Sequence, residues 1–138
     1  MILKKDTDSD PSKPAYQTIP PVSLKNEIQV LSTLQRICQD SLSKYNTEYE
    51  EDIKILSQCE NGEMKITNNQ MNCLLMRIGE KKILHFLIGF TNYIIPLFEL
   101  TSKGIKKKIK KDFPHYCYYE VYINEVVLTL IRMSSSNK

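Results

Sequence analysis

The chain has 138 residues, of which 41% are hydrophobic and 25% are charged, a composition typical of one globular domain with a modest core. This length excludes functions that need separate cofactor and substrate domains in the same chain. The net charge of +3 is too small to indicate nucleic-acid binding by itself.

Cysteine usage and the first residues indicate the cellular compartment. The four cysteines are scattered and form no CxxC pair, so we interpret them as reduced thiols. The chain becomes polar after its third residue and lacks the apolar centre of a secretory signal. The apolar stretch 83–98 is interrupted by polar residues and a proline and is too short for a membrane span. We therefore expect a cytoplasmic or nuclear protein without a transmembrane segment.

The first helix is the strongest structural signal. Residues 1–22 contain four of the six prolines and lack apolar periodicity, so we interpret them as a linker or a severed leading segment. Ser23 can accept hydrogen bonds from the amides of a first turn that begins at Leu24. We expect Asn46 to end this helix in a left-handed conformation. In between, one apolar stripe is formed by Leu24, Ile28, Leu31, Leu34, Cys38, Leu42 and Tyr45.

Two capping boxes predict two further helices. Thr47 with Glu50 has the spacing of a box that starts the second helix, and Thr67 with Gln70 repeats this spacing before the third. We expect the third helix to end at about residue 87. These three helices define a predicted helical domain at residues 23–87.

The rest of the chain, residues 88–138, is predicted to be a divergent tail. Residues 116–133 are rich in tyrosine, valine and isoleucine, which are common in strands. The predicted fold is mainly α, a small antiparallel helical bundle followed by a tail that is either β-rich or disordered. The tail must cover the apolar stripe of the bundle or leave part of it exposed, namely Leu31, Leu34, Leu75 and Ile78.

Few residues are candidates for catalysis, metal binding or phosphate binding. His85 and His115 have no nucleophile in a suitable context and no carboxylate at a ligand spacing, so we predict neither a catalytic site nor a metal site. The four glycines are far apart, which argues against a phosphate-binding loop. The acidic run Glu50-Glu51-Asp52 fits the first turn of a helix, where negative charge is favourable.

A cluster of lysines carries most of the positive excess. It could bind phosphate or anionic lipid, could act as a nuclear-import signal, or could simply be solvated. An alternative function is therefore a basic adaptor for nucleic acid or anionic membrane, although the sequence does not favour nucleic acid. The candidate anion-binding residues are Lys106, Lys107, Lys108, Lys110 and Lys111.

Several short motifs occur in an order that resembles a known family. They are Pro21-Val22-Ser23, Asn26-Glu27, Tyr45, Thr47, Glu50-Glu51-Asp52 and Arg77-Ile78-Gly79-Glu80-Lys81-Lys82-Ile83-Leu84. Together they resemble the C-terminal substrate-binding domain of SET enzymes related to Rubisco large subunit methyltransferase. The resemblance covers roughly residues 20–86. Its motif residues are Glu50, Glu51, Asp52, Arg77, Gly79, Glu80 and Lys81.

The resemblance implies a helical module that holds a protein substrate beside a SET catalytic domain. The motifs are most similar to the branch that methylates a histidine of actin, which makes actin the implied partner, and lysine methyltransferases share them. S-adenosylmethionine is implied as the cofactor of the full enzyme, and we expect no cofactor-binding residue in this chain. We expect a fragment or isoform that does not methylate alone. From the residues themselves we expect Lys81 and Lys82 to be exposed charges, and the surface of the first and third helices is the candidate for substrate contact.

Overall fold

The computed structural model describes residues 22–136, which form helices and contain no β-strand. The expected mainly α fold is confirmed, whereas the predicted linker at 1–22 lies outside the described residues apart from Val22. The first four helices are α1 (Leu24–Ser43), α2 (Tyr49–Glu60), α3 (Asn68–Leu97) and α4 (Ser102–Asp112). A continuous C-terminal helix follows, made of α5 (Glu120–Tyr122), a π-helical segment (Ile123–Val127) and α6 (Leu128–Ser136).

The predicted starts of α1 and α3 are confirmed. The Ser23 hydroxyl accepts a hydrogen bond from the Asn26 amide at 3.1 Å. At α3, the Gln70 amide donates to the Thr67 hydroxyl at 3.2 Å, and the Thr67 amide donates to the Gln70 side chain at 2.9 Å. Both starts depend on contacts three residues apart, which a sequence pattern can detect.

The turn between α1 and α2 differs from the prediction. α1 is capped by Lys44 with a φ of −80°, and no residue other than glycine has a positive φ between residues 22 and 136, so the left-handed Asn46 cap is wrong. The capping box of Thr47 and Glu50 is also wrong, because α2 begins after Glu48 without a side-chain cap. The Thr47 hydroxyl donates instead to Asp52 Oδ1 at 2.8 Å. A tertiary network has therefore replaced the local cap.

α3 is longer than predicted, because it continues to Leu97 and not to about residue 87. Pro96 lies in its last turn, where the missing amide removes a single hydrogen bond close to the helix end. No helix of residues 22–136 combines the length and apolar character needed to cross a membrane.

The predicted β-rich or disordered tail is wrong for residues 88–136, which are mostly helical. Ile123, Val127, Leu130 and Ile131 follow a spacing of three or four residues, and all four are buried. This helical periodicity overrides the strand preference of valine and isoleucine because one face can then enter the core. The division at residue 87 falls inside α3 and stays a prediction about domains.

The hydrophobic core lies where the second half of α3, α4 and the C-terminal helix meet. α1 runs antiparallel along α3, since Gln35 of α1 bonds Asn92 whereas Tyr45, two residues beyond the end of α1, bonds Glu80. Leu31 of the predicted stripe is buried in this core, but Leu75 is 47% exposed. The buried core consists of Leu31, Ile94, Leu97, Phe98, Ile105, Cys117, Ile123, Val127, Leu128, Leu130 and Ile131.

Candidate functional site

Three motif residues meet in a buried ionic network between α2 and α3. The side chains of Asp52 and Lys81 are 0% and 1% exposed, and that of Arg77 is 33% exposed. Asp52 Oδ1 accepts hydrogen bonds from Arg77 Nη2 at 2.8 Å and Nε at 3.0 Å. Asp52 Oδ2 accepts from Lys81 Nζ at 2.5 Å. The predicted exposure of Lys81 is therefore wrong, because its charge is paired inside the fold.

The turn before α2 completes this network. Lys81 Nζ donates to the carbonyl oxygen of Thr47 at 2.5 Å and to its hydroxyl at 2.9 Å. The ammonium also lies 4.9 Å from the centre of the Tyr45 ring, within cation–π range. Within residues 22–136, no buried side-chain nitrogen or oxygen lacks a hydrogen-bond partner. The lysine thus ties the α1–α2 turn to the middle of α3.

The spacing of the motif explains why these residues meet. Arg77 and Lys81 are four residues apart on α3 and so lie on one helical face. Asp52 lies in the first turn of α2, opposite that face, and each of its oxygens takes one cationic partner. The i,i+4 pair of cations was the one sequence signal that could have revealed the network. The sequence gives no signal that Asp52 is the partner.

The network favours the charged form of Asp52. Burial alone would raise the pKa of this carboxyl, but hydrogen bonds from Arg77, Lys81 and Thr47 outweigh burial and lower the pKa from 3.8 to about 2. The hydrogen bond to Asp52 in turn raises the pKa of Arg77. Both the Asp52 carboxylate and the Arg77 guanidinium are therefore charged at neutral pH. We call the network of Thr47, Asp52, Arg77 and Lys81 the clamp.

A shallow groove lies beside the clamp at the junction of α1 and α3. We call it the α1–α3 groove; it has a volume of about 310 Å³ and is lined by Ser41, Tyr45, Glu80, Ile83 and Leu84. The Tyr45 hydroxyl donates to the Glu80 carboxylate, and this hydrogen bond raises the pKa of Tyr45. Ile83 is 62% exposed. The groove thus combines an exposed apolar side chain with a fixed polar pair.

The remaining motif residues lie outside the clamp. Glu50 and Glu51 are exposed in the first turn of α2. Gly79 lies inside α3, where an added Cβ would have no neighbour within 4 Å. Lys82 is exposed, as expected. The structure therefore divides the predicted site into a buried part and a solvated part.

Histidines and thiols are not brought together with the clamp. The His85 ring packs edge-on against Tyr49 with centroids 5.9 Å apart, and His115 is exposed. The cysteines are free thiols, and two of them, Cys38 and Cys117, are buried. In the described part of the chain, no group of three histidine, cysteine or carboxylate side chains could hold a metal ion.

The predicted lysine cluster lies on α4 and contains two different environments. Lys106, Lys107, Lys110 and Lys111 are exposed and, together with the exposed Lys103, fall within an arc of about 140° at roughly 100° per residue. We call these five residues the lysine face of α4. Ile105 is buried on the opposite side of the helix, so the rotation of α4 is fixed by the core.

Lys108 is separate from the lysine face, although it belongs to the predicted cluster. Its ammonium lies 3.2 Å from the Asp112 carboxylate and 5.4 Å from the centre of the Tyr93 ring. The hydrogen bond from Lys108 lowers the pKa of Asp112, and the Tyr93 hydroxyl donates to the same carboxylate at 3.0 Å. Lys108 therefore holds α4 on α3, and its charge is already paired.

These features define a helical domain in which a buried clamp fixes the turn between α1 and α2 and open grooves lie on the surface. The family described as Rubisco LSMT substrate-binding matches residues 2–84. Since this segment is more than half of the chain and includes every residue of the clamp, the chain belongs to that family. No curated protein and no solved structure matches the chain.

Proposed function

We propose that this chain is the substrate-binding module of a SET-type protein N-methyltransferase and holds a protein substrate without taking part in bond chemistry. The family match over residues 2–84 carries the proposal. The clamp supports it, because residues that resemble the family motif fix the shape of the domain. The free thiols fit a reducing compartment, the cytoplasm or the nucleus.

The α1–α3 groove is the proposed substrate contact. Its shape is fixed because Tyr45 contacts both the clamp, through Lys81, and the groove, through Glu80. A contact surface on rigid elements loses little conformational entropy on binding. Ile83 offers apolar area next to polar groups, the combination found where protein interfaces have an apolar centre and a polar rim.

The proposal also names the residue that receives the methyl group. We propose a histidine of actin, with a lysine of another protein as the alternative, and this choice rests on the motif similarity alone. In the proposal, S-adenosylmethionine is bound by a separate SET domain.

Actin binding by the purified chain tests the proposal. Replacing Ile83 by Ser removes apolar area from the α1–α3 groove, and we expect the affinity for actin, measured by fluorescence anisotropy, to fall about tenfold. Ile53→Ser is the matched control, because Ile53 is also exposed, at 38%, but lies on α2. Equal affinities of the two variants, or no actin binding by the parent chain, would contradict the proposed surface and substrate.

The absence of bond chemistry has its own test. Titration calorimetry with S-adenosylmethionine should show no micromolar binding to this chain. A SET domain supplied separately should transfer a labelled methyl group to the substrate faster when the chain is present. Micromolar cofactor binding would contradict this part of the proposal, and methyl transfer by the chain alone would show that it is a catalyst.

A second candidate function is a basic adaptor for nucleic acid or anionic membrane, and the lysine face of α4 favours it. Five cations without a carboxylate between them form a local excess of charge. Replacing Lys103, Lys106, Lys107, Lys110 and Lys111 of the lysine face by Gln, with the paired Lys108 kept, should then abolish salt-sensitive binding to RNA duplexes or anionic vesicles. Gln at Lys25, Lys54 and Lys82 is the control, and unchanged binding after the first replacement would exclude the adaptor.

A further inference from the structure

A second groove lies between α3 and the beginning of the C-terminal helix. It has a volume of about 390 Å³, and we call it the aromatic groove because five of its eight lining residues are aromatic. All eight lie beyond residue 84, outside the segment that matches the family. They are Phe86, Phe90, Tyr118, Tyr119, Val121, Tyr122, Glu125 and Val126.

Ring packing fixes the floor of this groove. Phe90 makes edge-on contacts with Tyr119, at a centroid distance of 5.3 Å, and with Tyr122, at 5.1 Å. Phe86 lies 6.2 Å from Tyr119 and is 56% exposed, and Tyr118 is 76% exposed. Rings in several orientations therefore line the open groove, and the exposed rings of Phe86 and Tyr118 are accessible to a ligand.

The electrostatic character of the aromatic groove favours a cation. Ring faces carry negative potential, and Glu125 adds a carboxylate, whereas none of the eight lining residues is basic. A second carboxylate belongs to Glu27, which accepts a hydrogen bond from the Tyr122 hydroxyl. Burial and this hydrogen bond raise the pKa of Tyr122, so the phenol keeps its proton.

We propose that the aromatic groove binds an alkylammonium side chain, a lysine or a methylated lysine, presented by a protein segment. An anionic ligand would meet Glu125 with no cation in the lining. A purely apolar ligand would remove water from Glu125 without replacing its hydrogen bonds. A long alkyl chain with a terminal cation can enter from the open side, and it satisfies both the rings and the carboxylate.

A pair of peptides isolates the role of the charge. One carries a single trimethyllysine among neutral residues, and the other carries the neutral analogue in which carbon replaces the quaternary nitrogen. We expect the full chain to bind the charged peptide at least about threefold more tightly in titration calorimetry, as cation–π attraction at an exposed site predicts. Equal affinities, tighter binding of the neutral analogue, or no binding at millimolar peptide would overturn the proposal.

Variants locate the binding. Tyr118→Leu keeps apolar volume but removes the ring, and Glu125→Gln removes the charge, so each should lower the affinity for the charged peptide severalfold. Both side chains are exposed, and circular dichroism should show an intact fold. Tyr118→Phe should bind like the parent, as should the control Val30→Ala on α1. Full binding by Tyr118→Leu would place the site elsewhere.

This inference does not depend on the methyltransferase proposal. The actin test uses Ile83 in the α1–α3 groove, and the peptide test uses the aromatic groove. Failure of either one leaves the other result unchanged, so the two failures can be told apart.

Discussion

The clamp and the core stabilise the first and second halves of the same long helix α3 by different means. In α2, Asp52 is the buried residue, and it meets charged partners from the first half of α3. Around the second half of α3, side chains such as Ile94 and Leu97 are 0% exposed and meet other apolar groups. The clamp therefore fixes the orientation of α2 on α3 through a few hydrogen bonds, whereas the core stabilises the fold by burying apolar surface area. A single substitution should reveal this difference.

The largest expected effect comes from removing the shared acceptor of the clamp. Asp52→Ala leaves the ammonium of Lys81 buried without a carboxylate, and we expect the free energy of unfolding to fall by about 3–5 kcal/mol. Urea denaturation measures this loss. Glu51→Ala, one position earlier and exposed, should change the free energy by less than about 0.5 kcal/mol.

A double replacement separates the two roles of the clamp. Leu at position 52 together with Met at position 81 removes both buried charges, and such exchanges are often neutral or stabilising by about 1–4 kcal/mol. Arg77 is one-third exposed and can turn toward water. A loss as large as that of Asp52→Ala alone would show that the ion pair itself, and not the cost of an unpaired charge, stabilises this end.

The apolar end should respond to lost volume. Ile94→Ala creates a cavity in the core, and we expect the free energy of unfolding to fall by about 2–5 kcal/mol. The same change at Ile53, which is 38% exposed on α2, should cost less than about 1 kcal/mol. Similar losses at the two positions in urea denaturation would mean that α2 buries more surface than the structure shows.

Acid should reduce the contribution of the clamp to the free energy of unfolding, because Asp52 takes up a proton, whereas the apolar core has no carboxylate to titrate. The pKa of Asp52 is lowered from 3.8 to about 2, so the unfolded chain binds its proton more readily and the stabilisation is complete above the unfolded pKa. It is lost as the pH falls from about 4 to about 2, by roughly 2 kcal/mol. Asp52→Asn should lack this part of the pH dependence in urea titrations. An identical acid slope in both proteins would contradict the shifted pKa.

The smallest effect is expected at the edge of the clamp. Tyr45→Phe keeps the ring near Lys81 but removes the hydroxyl that bonds Glu80, and an exposed bond of this kind contributes about 0.5–1 kcal/mol. Thermal and urea unfolding should both show this small loss. A loss above about 2 kcal/mol would mean that the Tyr45 hydroxyl belongs to the clamp itself.

Local signals predicted the parts of the fold that depend on neighbouring residues. The caps at Ser23 and Thr67 were found because donor and acceptor are three residues apart. The clamp joins Lys81 to Thr47 and Asp52 across 34 and 29 residues, and no local pattern encodes such pairing. Thr47 was misread for this reason, because its hydroxyl fits a cap equally well until the distant lysine is known.

The prediction for the tail, residues 88–138, is wrong over residues 88–136 because two sequence signals compete there. Its tyrosines, valines and isoleucines favour strands on composition, but the spacing of Ile123, Val127 and Leu130 is helical. The segment is helical because a helix buries these three side chains on one face. The aromatic groove was missed as well, since its walls come from Phe86 and from Tyr118, which are far apart in sequence, although the tyrosine-rich run at 116–122 was a visible signal.

The π-helical segment gives the chain one place where its length can change. The Leu128 amide bonds the Ile123 carbonyl, five residues back, so this turn contains one residue more than an α-helical turn. Deleting the exposed Asn124 would convert the turn to the ordinary spacing of four and keep Leu128 and Ile131 facing the core. A deletion inside α3 would instead rotate every later side chain by about 100°. We therefore expect natural variants that are one residue shorter in this helix to lack a residue within the π-helical segment Ile123–Val127.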